Sequence, residues 1–261
     1  MVKGVEMDSP KGLSPVQALD VFFRGFCFTR SLTHPFITRQ INSTLWVLEE
    51  GHGRKRNPRN SEVVAYNATL EETLATIPSV VTGRYILCIF VVTPEEIAPT
   101  CAAYKGFGYR LLGKEPLFVL SLPQQKIFQD YPIQRVTNAT DIEAIKRATR
   151  RHMLPTKYLT ATDVPMRLYA AFDATKAVGW VTSIRATEQS CWVSSLHVDP
   201  NYRRRGIGKS LMSAMLQEDA HYGAEHSVLL ASQTGALLYP HLGYESVGTL
   251  LLFAPPKAEK P

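Results

Sequence analysis

The chain has 261 residues, 45% hydrophobic and 20% charged, with a formal net charge of +6. These are globular values with room for two ordinary domains, and they exclude a disordered or low-complexity chain. The pI near 9.1 suits anionic ligands without indicating nucleic acid, the four cysteines lack the spacing of a zinc site or disulfide framework, and no apolar run could span a bilayer.

Residues 1–14 are polar, with glycine and proline but no apolar signal-peptide core, and read as a loose lead-in to a cytoplasmic protein. From Val16, Ala18, Leu19, Phe22, Phe23 and Phe26 recur at helical spacing. Leu45–Leu48 reads as a strand, and the basic stretch His52–Asn60 as a solvated hairpin loop. That stretch lacks the aromatic residues expected of a nucleic-acid patch, so nucleic acid is not an expected partner. Glu62–Ile77 reads as strand then helix, and Tyr85–Val92 as a buried strand. Pro94-Glu95-Glu96 suits a helix start.

Between Pro123 and Pro132 the pattern loses order, which places a domain boundary near residue 130. Beyond it, Ile133–Thr137 reads as a short strand. Thr140 to Glu143 has capping-box spacing and opens a helix with Ile142, Ile145 and Ala148 inward. Arg167–Phe172 and Ala177–Ile184 form a predicted hairpin. Cys191–Val198 is a strand ended by Asp199-Pro200-Asn201. After Arg203, Arg204, Arg205, Gly206 and Gly208, a helix carries Ile207, Leu211, Met212, Met215 and Leu216 on one face. His226–Ala231 is a strand, Ser232 opens a helix, Tyr244–Phe253 is the final strand, and residues 255–261 form a disordered tail. The expected fold class is α/β, with mixed, mostly antiparallel sheets flanked by helices.

The turn at Arg203–Lys209 is built for an anion. The first N–H groups of a helix have no intrahelical partner and carry positive potential, and glycines allow close approach to the backbone. Gly208-Lys209-Ser210 has the ending of a triphosphate P-loop, but that motif needs a glycine where Arg203 stands. What fits is Arg-x-x-Gly-x-Gly, Arg203 to Gly208, after a strand ending in Val-Asp-Pro. It resembles the acyl-CoA pyrophosphate loop of the GNAT superfamily of N-acetyltransferases.

The chain also resembles itself. Ala103 to Tyr109 (AYKGFGY) is similar to Leu238 to Tyr244 (LYPHLGY), and each copy continues to a glycine, Gly113 or Gly248, and an apolar strand. The repeated unit resembles the segment after the fifth GNAT strand. The expectation is a tandem pair: residues 1–130 as a degenerate GNAT-like module without the arginine-glycine turn, and residues 131–254 as the catalytic GNAT domain.

The resemblance implies direct acetyl transfer from acetyl-CoA, the co-substrate, to a primary amine of unidentified nature, with no metal. The backbone N–H groups of Arg204, Arg205, Gly206, Ile207, Gly208 and Lys209, with the Arg203 to Arg205 side chains, would hold the pyrophosphate. The main chain of Leu196, His197 and Val198 would align the pantetheine, and an N–H near Val198 would face the oxyanion. Tyr239 holds the general-acid position, and Ser232 stands where the family often has asparagine. Trp192 and Ser194 occupy the strand positions that often carry the base, so no base is assigned. The alternative is an acyl-CoA-binding protein without catalysis.

Overall fold

In the computed structural model, which describes residues 12–51, 59–150, 153–159, 163–232 and 235–256, the first element described is helix α1 (Pro15–Ser31). Ser14 and Gln17 cap it reciprocally, each side chain accepting the other's backbone N–H, so two donors without helical partners are satisfied. There follow β1 (Phe36–Gln40), β2 (Leu45–Glu50), β3 (Ser61–Tyr66), α2 (Leu70–Val80), β4 (Tyr85–Val91), α3 (Pro94–Gly106) and β5 (Arg110–Ser121). The second half contains β6 (Gln134–Arg135), α4 (Ala139–Thr149), β7 (Met166–Asp173), β8 (Lys176–Arg185), β9 (Ser190–Val198), α5 (Ile207–His221), β10 (His226–Leu230) and β11 (Glu245–Ala254). Apart from the two-residue β6, the second half repeats the order of the first: helix, three strands, helix, strand, helical segment, strand.

The eleven strands of the described residues join one sheet in the order β1-β2-β3-β4-β11-β5-β10-β9-β8-β7-β6. Only β3–β4 and β9–β10 are parallel; the other pairs are antiparallel. The order reads alike from both ends about the β11–β5 pair, because each half gives its last strand to the other. β5 pairs with β10 from His226–Ser121 to Leu230–Leu117, and β11 pairs with β4 from Thr249–Val91 to Phe253–Leu87. The halves therefore share one continuous sheet rather than holding a sheet each.

The sheet wraps around α1. Phe22 packs in a tilted pair against Trp192 of β9 at 5.4 Å, and its neighbour Phe23 against Trp46 of β2 at 5.5 Å. In a flat sheet those strands would lie roughly 29 Å apart at ordinary strand spacing, so the sheet must curve into a trough with α1 along it. Gly25 allows the approach: a Cβ there would meet the Trp192 Cγ at 2.1 Å. Helix α4 covers the same face through Ile142 and Ile145, while α5 covers the convex face through Ile207, Leu211, Met212, Met215 and Leu216. Together these clusters bury apolar side chains that each contribute about 1.5–3 kcal/mol.

Two local expectations change and one strand was not expected. Helix α4 is capped by Asn138, whose side chain accepts from the Asp141 N–H at 2.9 Å, and buries Ala144 instead of Ala148. Strand β1 was not legible because only Phe36 is buried and no apolar alternation exists. The helix expected from Ser232 is replaced by two 3₁₀ turns, Gly235–Leu237 and Tyr239–Leu242, since Pro240 has no N–H to continue an α-helix. Most of the basic loop (52–58), most of the lead-in (1–11) and most of the tail (257–261) lie outside the described residues. Among those described, no helix is long and apolar enough to cross a membrane.

Candidate active site

β9 and β10 begin as a parallel pair and then part. Three residue pairs join them, ending at Trp192–Val228, yet β9 runs on to Val198. A bulge accompanies the parting: Trp180 pairs with His197 and Thr182 with Ser194, so Val181 faces both Ser195 and Leu196. Ser195 takes the left-handed conformation, φ 58°. A bulge of this kind leaves backbone groups outside the ladder and re-aims the side chains beyond it. Leu196 and Val198 pack toward α5, whereas Ser194 and His197 belong to the trough side with Trp192.

At the open end lies the basic turn. Arg204 (φ 61°) and Gly206 (φ 75°) are both left-handed, and Gly206 is the N-cap of α5 without any side-chain cap. The first N–H groups of α5 are thus left to an external acceptor. Gly206 has no room for a side chain either: a Cβ would meet Asp130 at 2.6 Å. Gly208 sits between the two walls of the cleft, where a Cβ would lie 3.6 Å from Leu238 and 3.8 Å from Val198. Arg203 folds back so that its Nε donates to the Val198 carbonyl at 3.2 Å. Arg205 donates to the Asn201 carbonyl at 3.2 Å and lies over the Tyr202 ring. Lys209 covers the Phe128 ring at 4.8 Å.

The linker between the halves fastens this helix. The N–H groups of Phe128 and Tyr131 donate to the hydroxyls of Ser213 and Ser210, at 2.9 and 3.2 Å. Below the turn, a buried ion pair ties α5 to the sheet. Arg167 Nη2 of β7 lies 2.6 Å from Asp219, whose two carboxylate oxygens also accept from the Ser183 hydroxyl at 2.8 Å. Buried charges are tolerable only with such partners. None of these three residues was singled out in the sequence, because pairing across so many residues leaves no local pattern.

Tyr239 stands at the far wall. It is 7% exposed and packs against Phe118 of β5 at 5.7 Å and Tyr244 at 5.6 Å. Burial pushes its hydroxyl up to about 12, and the hydroxyl has no hydrogen-bond partner among the described residues. A Cβ built on Gly235 would lie 3.3 Å from Ser232 Oγ and 3.8 Å from the Tyr239 hydroxyl, so both groups border one small space. Ser232 also accepts from the Gly235 N–H at 3.3 Å. His197 turns the other way: its ring stacks on Trp180 of β8 at 4.5 Å. Burial, with Arg203 nearby, holds its imidazole below the ordinary 6.5.

The equivalent place in the first half is closed. β3 and β4 pair without a break from Ser61–Tyr85 to Tyr66–Phe90, the whole length of β3. The N-terminus of α2 carries its own acceptors, Thr69 and Glu72, in a capping box. A hollow of about 220 Å³ remains near Tyr66, Leu70, Phe90 and Tyr104, with the Glu96 carboxylate on its rim. Hydrogen bonds from the Thr93 and Val92 N–H groups hold that carboxyl below its usual range, which places negative charge on the rim of this hollow. Tyr104, the counterpart of Tyr239, is a packing residue stacked on Phe253 at 5.2 Å.

Residues 165–246, spanning β7 to the start of β11, match the family described as acetyltransferase (GNAT) domain. No curated protein sequence matches the chain. Among solved structures, a GCN5-related N-acetyltransferase from Kribbella flavida is similar at a TM-score of 0.61 and 16% identity, over 92% of this chain and 96% of that one. One from Sphaerobacter thermophilus matches at 0.52 and 15% identity, over 95% and 98%. A functionally unknown conserved protein from Staphylococcus epidermidis ATCC 12228 matches at 0.53 and 16%, over 86% and 95%. At such identities the structural likeness speaks for the fold, which extends over both halves, while the matched domain covers the parted strands, the glycine turn and α5. Residues 165–246 thus match the acetyltransferase (GNAT) domain family, within a chain whose whole fold is like that of GCN5-related N-acetyltransferases.

Proposed function

We propose that the chain transfers an acetyl group directly from one acetyl-CoA, held by its second half, to a primary amine. The observation that carries this reading is the parting of β9 from β10 beside an uncapped, glycine-led helix N-terminus. The pyrophosphate would take the N–H groups of Arg204 to Lys209, with the arginines turning out from their present backbone contacts. The pantetheine would lie along Leu196, His197 and Val198 as an added strand, using β9 groups that β10 leaves free. Residues 1–130 act in this proposal as a degenerate GNAT-like module that binds no CoA, and residues 131–254 carry the chemistry.

Acetyl transfer requires the amine nitrogen to attack the thioester carbon, a donor for the oxyanion and a proton for the departing sulfur. Backbone N–H groups near the β9 bulge and Val198 serve as the oxyanion donors. Tyr239 gives its proton to the thiolate as the C–S bond breaks. Its raised pKa, about 12, keeps it fully protonated until that moment. Thiol release from acetyl-CoA with a panel of primary amines tests the reading. Tyr239→Phe should lower turnover on the order of 10²-fold and leave acetyl-CoA affinity unchanged; an unaltered rate removes Tyr239 from the mechanism. Acetyl-CoA binding without turnover on any amine would favour a binding protein instead.

A further inference from the structure

We propose that Glu115, on the strand that the first half lends to the second, is the base that deprotonates the acceptor amine. This rests on the acetyltransferase reading above. The positions on β9 facing the trough, Trp192 and Ser194, carry no base, and the His197 ring lies over β8, away from the cleft. On the other side of the cleft stands β5. It pairs with β10 up to Leu117–Leu230, the Ala231 N–H donates to the Pro116 carbonyl at 2.9 Å, and there β10 ends. Glu115 is the next residue of β5, paired on its far side with Leu250 of β11. It therefore stands beside Ser232, level with the β9 bulge, with one strand's place empty between.

That empty place is where the pantetheine end would lie. In an unbroken sheet the backbones of β5 and β9 would be two strand spacings apart, about 9.5 Å, and the parting of β9 from β10 leaves at least that gap for a glutamate side chain and a small amine. Side chains alternate along β5: Phe118 and Leu120 pack on the α5 side, Leu117 and Val119 in the trough. Glu115 shares the parity of Leu117 and faces the trough. Tyr239 lies on the opposite, α5 side. The base and the acid thus flank the thioester from the two faces of the sheet.

Glu115 is half-buried, and its carboxylate makes no hydrogen bond or ion pair with the described residues. Burial raises its carboxyl above the ordinary 4.5, which improves a base working near neutrality. The titratable groups that interact with it are Glu62 of β3 and Cys88 of β4; Glu62 in turn is paired with Arg30 of α1 at 2.9 Å and interacts with Cys27. The protons balance as follows. The Glu115 carboxylate takes one proton from the ammonium, and the free amine attacks the thioester carbon. The C–S bond then breaks, the thiolate takes the Tyr239 proton, and the tyrosinate takes one from the nascent amide nitrogen. Glu115 returns its proton to water, leaving amide, free thiol and one released proton.

The test is thiol release by the full chain and by Glu115→Gln, with primary amines (ethylamine, putrescine, a lysyl peptide). The slower hydrolysis of acetyl-CoA without amine provides a rate in which water replaces the acceptor. Glu115→Gln should lower kcat/KM for the amine by at least about 10²-fold, with acetyl-CoA affinity and urea midpoint unchanged. The wild-type rate should fall as pH drops through the Glu115 pKa, because only the carboxylate accepts a proton. That acidic limb should vanish in Glu115→Gln and survive in Glu115→Asp and Glu62→Gln. A Glu115→Gln enzyme within threefold of wild type, or one that keeps the limb, overturns the assignment while leaving the acetyltransferase reading intact. Wild type that releases no thiol in either format overturns both.

Discussion

Gly206 carries two demands that no other residue type meets together. Its φ of 75° costs an L-residue with a Cβ about 1–2 kcal/mol, and the Cβ of even an alanine would lie 2.6 Å from Asp130. Relief of that contact means displacing Asp130, and with it the linker whose N–H groups at Phe128 and Tyr131 hold α5. Gly206→Ala should therefore weaken acetyl-CoA binding on the order of tenfold, about 1.4 kcal/mol, and lower the urea midpoint slightly. Calorimetry showing undiminished affinity would remove the pyrophosphate from this turn. Tyr239 and Tyr104 make the complementary point. They hold matching positions in the repeated segment and are both buried, yet Tyr104 stacks on the Phe253 ring while the Tyr239 hydroxyl borders a cleft.

At the scale of elements, the contrast lies between two parallel strand pairs. β9 leaves β10 after three residue pairs and β3 never leaves β4; α5 begins on a bare glycine and α2 on a closed capping box. A pantetheine needs unpaired strand edge and a pyrophosphate needs unpaired N–H groups, so only the second half offers both. Titration of the chain with CoA should accordingly give one site, and a stoichiometry of two would contradict the closed first half. Much of this was legible in sequence. The glycine turn, the apolar face of α5, the β7–β8 hairpin and the lack of an arginine-glycine turn in the first half are local patterns within single windows. The bulge at Ser195 was not, since it depends on the register of β8 against β9. The 3₁₀ turns after Ser232 were only half legible, through Pro240. Glu115 was invisible for a different reason: its meaning comes from pairing with strands more than a hundred residues away, to which periodicity is blind.

The exchange of last strands decides what kind of molecule this is. Without β5, the second half would present β10 as a bare edge, losing the pairs from His226–Ser121 to Leu230–Leu117. It would also lose the packing of Phe118 on Tyr239 and the α1 cover over Trp192. The first half would lose β11 from beside β4, and with it Leu251 and Phe253 from the core beneath α3. Open apolar strand edges of this length pair with other chains, and stripping several large buried side chains from each core forfeits more than the 5–15 kcal/mol by which domains are ordinarily stable. Residues 131–261 expressed alone should therefore aggregate or remain unfolded and release no thiol, although they contain every residue proposed to hold acetyl-CoA. Residues 1–130 should fare no better alone. Co-expression of the two pieces should restore a soluble complex with activity, because the sheet needs both strands and not the covalent link between them. A second half that is soluble, monomeric and as active as the full chain would show that β5 is dispensable. In that event neither the shared sheet nor a base on β5 could be part of how the enzyme works.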